Sequence, residues 1–147
     1  MLASRVRDHV QVANRLRPVL LQLVRELRRE VHPLGITGGQ VSLLVQIKRK
    51  PQVGVRELAA LERVSPAAIS GAVDRLERAG LIERRTDAAD RRRQGLRVSA
   101  AGERVLRAVK RRRTAWLASK LERLSPEELE AVDAAIEPLT FLLEDTE

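Results

Sequence analysis

The side chains best equipped for chemistry are the arginines of positions 84–97 and the small residues that precede them. Arg84, Arg85, Arg91, Arg92, Arg93 and Arg97 stand against Asp87 and Asp90 there, a net +4. Guanidinium groups bind phosphate oxygens in bidentate fashion and stay charged at neutral pH. Upstream lie Ser65, Pro66, Ala67, Ala68, Ser70, Gly71 and Arg75. Small side chains let a helix backbone approach a ligand, and its first amides favour phosphate. Ser65 and Ser70 can donate to phosphates or base edges, and Arg75 can reach a phosphate or a guanine. This is chemistry of recognition and not of turnover. The chain has no phosphate loop, no triad spacing and no carboxylate pair with a base beside it, so no enzyme activity is expected. His9 and His32 are too far apart for a local metal motif, and Glu30 and His32 point to different sides of a helix. No metal and no cofactor are expected.

Charge sharpens the choice of partner. The 147 residues carry a net +8, yet Ser125–Glu147 holds eight acids and no Lys or Arg. Residues 1–124 therefore carry 28 basic and 12 acidic side chains, a net +16. Such a body suits a polyanion. Only Lys48, Lys50, Lys110 and Lys120 among the bases are lysine; compositional bias toward arginine explains that equally well. There is no cysteine, which excludes disulfides, thiol chemistry and cysteine-bound zinc and fits a cytoplasmic setting. No stretch is long and apolar enough to span a bilayer, and the charged start is unlike a signal peptide, so no membrane partner is expected.

The elements that must position these groups follow from periodicity. Val6, Val10, Ala13, Leu16, Leu20, Leu23, Leu27 and Val31 recur at helical steps, with Pro18 expected to kink or restart the helix. Thr37 and Gln40 form a capping-box pattern before Val41, Leu44, Val45 and Ile47. Gln52–Val55 reads as a turn or brief strand, and Arg56–Glu62 as a short helix. Ser65 as N-cap, Pro66 at the first position and Gly80 as stop delimit a helix with Ile69, Val73 and Leu76 inward. Leu81–Thr86 and Leu96–Val98 read as strands joined by a polar loop. Ser99 opens a long helix to about Arg123, and Ser125-Pro126-Glu127-Glu128 is a capping box for the last helix, which Pro138 interrupts. The expected class is mainly α with a small β-hairpin, in the order α/α/β/α/α/β/β/α/α.

Two helices around a tight turn, followed by a hairpin, make a winged helix-turn-helix. Its second helix, about Ser65–Ala79, would face the major groove of double-stranded DNA. The exposed positions are Pro66, Ala67, Ser70, Gly71, Asp74 and Arg75. Arg84–Arg93 would form the wing, with Arg91, Arg92 and Arg93 suited to a minor groove. Asp90 would pair with a neighbouring arginine and brace the loop. Small residues also suit plain close packing, and a charged loop can simply be solvated. The same holds for Lys110–Arg113, which spans a full helical turn.

The runs Val55-Arg56-Glu57-Leu58-Ala59, Val64–Ser70 and Val73–Arg84 resemble the MarR family of bacterial regulators. So does the stretch Asp87-Ala88-Ala89-Asp90-Arg91-Arg92 through Leu96–Gly102. The resemblance covers roughly residues 37–105. It implies a homodimer that binds palindromic operators, usually as a repressor, with Ser65–Arg75 reading the groove and Arg91 and Arg92 as wing contacts. Thr37 and Arg56 join the expected DNA-binding set. Ala88, Ala89, Arg93 and Gln94 depart from the family pattern and make this wing more basic. The family's effector cleft, for a small anionic or aromatic molecule, implicates Trp116, Leu44 and Arg112. Residues 37–99 would bind DNA, while 1–36 and 100–147 would pair two copies. A nonspecific architectural DNA binder and a helical protein-interaction module remain alternatives.

Overall fold

The computed structural model describes residues 2–144, with side chains from Asp8 onward; Val6 of the expected apolar stripe lies outside the described side chains. Among the described residues there are six α-helices and one two-stranded hairpin. They are α1 (Leu2–Arg29), α2 (Gly38–Arg49), α3 (Val55–Glu62), α4 (Pro66–Arg78), β1 (Ile82–Thr86), β2 (Gln94–Val98), α5 (Ala100–Leu121) and α6 (Pro126–Phe141). The backbone forms two compact units, one ending at Arg113 and the other starting at Thr114.

The expected boundaries hold where a local device sets them. Thr37 and Gln40 cap α2 reciprocally: the Gln40 N–H donates to Thr37 Oγ1 at 3.1 Å, and the Thr37 N–H donates to Gln40 Oε1 at 2.9 Å. Ser65 accepts from the Ala68 N–H at 3.2 Å, and Gly80, at φ 75°, supplies the left-handed residue that lets the chain leave α4. Of the two outcomes expected at Pro18, a restart does not occur; α1 runs unbroken from Leu2 to Arg29. Proline removes one amide donor, and a long helix can absorb that loss.

The expected brief strand is a single residue. Val53 bridges Leu96, with the Leu96 N–H donating to the Val53 carbonyl at 2.9 Å and the Gln52 N–H to the Leu96 carbonyl at 3.0 Å. This joins the start of α3 to the returning strand of the hairpin.

In the first unit, one apolar cluster holds the elements together. Leu44, Leu58, Val73 and Leu76 are fully buried at its centre, each contributing about 1.5–3 kcal/mol by leaving water. The cluster takes in Val31, Ile36 and Val109, so it extends beyond residues 37–99 on both sides. In the second unit, Ser125 caps α6 by accepting from the Glu128 N–H at 3.1 Å, and α6 contains Pro138 without ending there.

Candidate nucleic-acid interface

The site starts from α4. Ile69, Val73 and Leu76 bury one side, which fixes the opposite side outward. Pro66, Ala67, Ala68 and Arg75 are exposed there, and Ser70 and Gly71 are half-buried. The Arg75 guanidinium lies over Gly71, close enough that a Cβ added at Gly71 would sit 3.7 Å from Nη1. Arg56 is exposed on α3, and Thr37 is exposed at the start of α2.

Asp74 was expected among the outward residues of α4. Its side chain is 44% exposed, and it also holds the wing. Arg84 on β1 donates to Asp74 Oδ1 at 2.8 Å and makes a second pair with Glu77 at 3.2 Å. Arg84 therefore braces the hairpin against α4 and is no free wing cation.

The hairpin pairs Ile82 with Val98 through Thr86 with Gln94. Its tip is built from two aspartates. Asp87 Oδ1 accepts from the Ala89 N–H at 2.9 Å, and Asp90 Oδ1 accepts from the Arg92 N–H at 3.0 Å. The Arg93 N–H donates to the Asp90 carbonyl at 3.0 Å. Asp90 thus meets backbone amides and not the guanidinium expected from the sequence, an arrangement short aspartate side chains favour in turns. The turn leaves Arg91 and Arg92 exposed, with no ion-pair partner among the described residues. Arg93 is exposed as well, but its Nη2 lies 3.4 Å from Glu57 on α3. Glu57 also takes the Lys50 ammonium. That hydrogen bond, opposed by desolvation and then reinforced by the charge of Lys50, the Gly54 backbone and the charge of Arg93, holds the Glu57 carboxyl below its usual range.

Sequence reasoning missed Glu57, Asp74 and Glu77 as the residues that apportion the arginines. No spacing marks them, because each partner lies on another element.

The residues expected at an effector cleft separate. Leu44 is fully buried and offers no surface, so it belongs to the core and not to a cleft wall. Arg112 Nε donates to the Glu30 carbonyl at 2.5 Å. Trp116, in the second unit, is half-buried with the Lys120 ammonium 5.6 Å above its ring. The first unit has an open cleft of about 390 Å³ between α1, α2 and α5, walled by Leu27, Val41 and Val45 with Arg28, Arg49 and Arg113. Arg113 donates to the Leu27 carbonyl at 3.0 Å, and burial, then the charge of Arg28, pushes its pKa down. Among the described residues no three His, Asp or Glu side chains converge as a metal site, and no helix is long and apolar enough to cross a membrane.

Known proteins share this fold. A family model described as the MarR family matches residues 36–93. A protein of Pseudomonas aeruginosa PA01 described as a transcriptional regulator is 33% identical, with 95% of this chain and 98% of that one covered and a TM-score of 0.77. The transcriptional repressor MdtR of Bacillus subtilis (strain 168) is 28% identical over 127 residues, 86% of this chain and 81% of MdtR. The fold also matches a Staphylococcus aureus MepR variant solved with a bound oligodeoxyribonucleotide, at a TM-score of 0.68 and 21% identity over 90% of this chain and 98% of that one. The hairpin-braced helix-turn-helix and these likenesses agree: the chain belongs to the MarR family of winged helix-turn-helix transcriptional regulators.

Proposed function

We propose that the protein is a cytoplasmic homodimer that represses transcription by binding a palindromic DNA operator and releases it when a small molecule binds. The observation that carries this is the outward face of α4, with Ser70, Gly71 and Arg75, set beside the exposed Arg91 and Arg92. In this reading α4 enters the major groove, Thr37 and Arg56 approach the backbone, and the two wing-tip arginines take the flanking minor groove. Phosphate contacts supply affinity and α4 supplies sequence preference. The same fold carries DNA in the MepR structure.

Dimerisation is supported by apolar surface in each unit. On α1, Val12 and Leu21 are 59% and 62% exposed; beyond the end of α6, Leu142 and Leu143 are 71% and 84% exposed. A twofold pairing would cover such faces and place two reading helices about one DNA turn apart. Residues 37–99 would bind DNA while 1–36 and 100–147 pair the copies. The open cleft by Arg28, Arg49 and Arg113 suits a small aromatic or aliphatic anion, with apolar walls for its body and guanidinium groups for its charge. Binding there would favour a dimer whose reading helices are wrongly spaced.

The test is selection of bound duplexes from a random pool, followed by affinity measurement at about 150 mM salt. A recovered inverted repeat that binds at least about a thousandfold more tightly than random duplex supports sequence-specific regulation. Equal binding overturns it in favour of an architectural role. Sedimentation equilibrium tests the dimer, and loss of the complex on adding small carboxylates tests the effector.

A further inference from the structure

Glu57 sits in the first turn of α3, between the end of α2 and the wing. One carboxylate oxygen takes the Lys50 ammonium, and the other takes the Arg93 guanidinium at 3.4 Å. Its side chain is only 33% exposed, so the pairs are partly sheltered from water. The neighbours of Arg93 at the tip behave differently: Arg91 and Arg92 point outward without ion-pair partners among the described residues. Three consecutive exposed arginines are thus divided, one paired with a carboxylate and two not.

We propose that Glu57 is a specificity-determining residue that keeps Arg93 and Lys50 off DNA phosphate. The inference rests on the DNA-binding reading above. A phosphate contact strengthens binding to every duplex alike and adds nothing to discrimination. A cation already held by a carboxylate must break that pair before it gains a phosphate, so the exchange yields far less than a fresh contact. Glu57 therefore lowers sequence-independent affinity while Arg91 and Arg92 stay available.

The experiment titrates a random-sequence duplex against salt, following fluorescence anisotropy, with wild type, Glu57→Gln, Arg93→Gln and the double variant. Glu62→Gln is the charge-matched control; Glu62 lies on the same helix, contacts Ser42 and touches no wing cation. Each newly freed phosphate contact steepens the log–log salt slope by about 0.9, a further loss of about 3.5-fold between about 50 and about 200 mM salt. Glu57→Gln is expected to steepen the slope by one or two such steps. Arg93→Gln alone leaves the slope unchanged, and adding Arg93→Gln to Glu57→Gln removes one step. A similar change in Glu62→Gln overturns the proposal, because general charge would then explain it. So does weaker binding of Glu57→Gln to every duplex, which would make Glu57 a wing-positioning residue only. If Glu57→Gln fails to fold, Arg93→Gln decides alone: a slope shallower by about 0.9 shows that Arg93 already reaches phosphate and overturns the proposal. Failure of the wild type to bind any duplex refutes the DNA-binding reading itself, a result distinct from unchanged slopes in a protein that binds.

Discussion

Arg84 on the first strand of the wing lies 2.8 Å from Asp74 on α4, ten residues back along the chain. The pair ties the hairpin to α4. The Arg84 side chain is 29% exposed, so its stem packs as well as its charge pairs. Replacing Arg84 by alanine should cost about 1 kcal/mol in urea unfolding, and a cycle with Asp74→Ala should give a coupling of about 0.5–1 kcal/mol. Strict additivity of the two changes would mean that the pair does not tie the hairpin to α4.

Gly95 fixes the other side of the wing. A Cβ there would sit 2.1 Å from Gln52 Oε1 and 2.6 Å from Gln52 Cα, and the backbone cannot yield cheaply. Gly95→Ala should destabilise by about 2 kcal/mol. Gln52 itself sits at φ 68° with a buried, unpartnered Oε1. Gln52→Gly relieves both and should stabilise by about 1 kcal/mol, as read from the thermal midpoint. A lower midpoint would show that Gln52 packing outweighs its strain.

Ser65 has two roles that substitution separates. Ser65→Ala removes the cap on Ala68 and should cost about 1 kcal/mol. Ser65→Asp keeps a cap acceptor and should unfold close to wild type, yet it brings a negative charge toward the phosphates. Its DNA affinity should fall while its stability holds; unchanged affinity would move Ser65 away from the duplex.

At the wing tip, Arg92→Ala should weaken binding to operator and random DNA together and make the salt slope shallower by about 0.9. Full retention of affinity would take the tip out of the interface.

Acid should act on Glu57. Its carboxyl titrates below the usual glutamate range because the Lys50 hydrogen bond, and then the charges of Lys50 and Arg93, outweigh desolvation and favour the charged form. A depressed folded value gives stability that is complete above the unfolded value and is lost as pH falls through the folded one. The side-chain carbon shift of Glu57 should therefore titrate at lower pH than that of a free glutamate, and Lys50→Gln should move it back up.

Local chemistry made much of this legible from sequence. Helix α4 announced itself through Ser65, Pro66 and Gly80, because capping and helix exit depend on residues within one turn. The hairpin was equally plain from its strands and polar tip. What stayed hidden was tertiary. The pairings Arg84–Asp74 and Arg93–Glu57 join different elements, so counting the arginines of the wing gave the right sign of charge but not how much is offered outward. Leu44 sat on a recognisable apolar stripe, and periodicity could not tell a core position from a cleft wall. The basic run Lys110–Arg113 was opaque for the same reason: Arg112 and Arg113 reach the Glu30 and Leu27 carbonyls near the end of α1.

Ser99 closes the base of the wing. Its hydroxyl donates to the Gly80 carbonyl at 2.5 Å and accepts from the Gly102 N–H at 3.0 Å, while its own N–H reaches the Leu81 carbonyl at 3.0 Å. The tip, by contrast, is held by turns around Asp87 and Asp90 and by the exposed Arg93–Glu57 pair. Amide hydrogens at the base should exchange with solvent deuterium only when the whole unit opens, whereas those of the tip exchange through local fraying. The hairpin is in this sense two kinetic populations in one loop. If the hairpin meets DNA as proposed, its ordered base sets the direction of the loop while the arginines at its end keep local freedom.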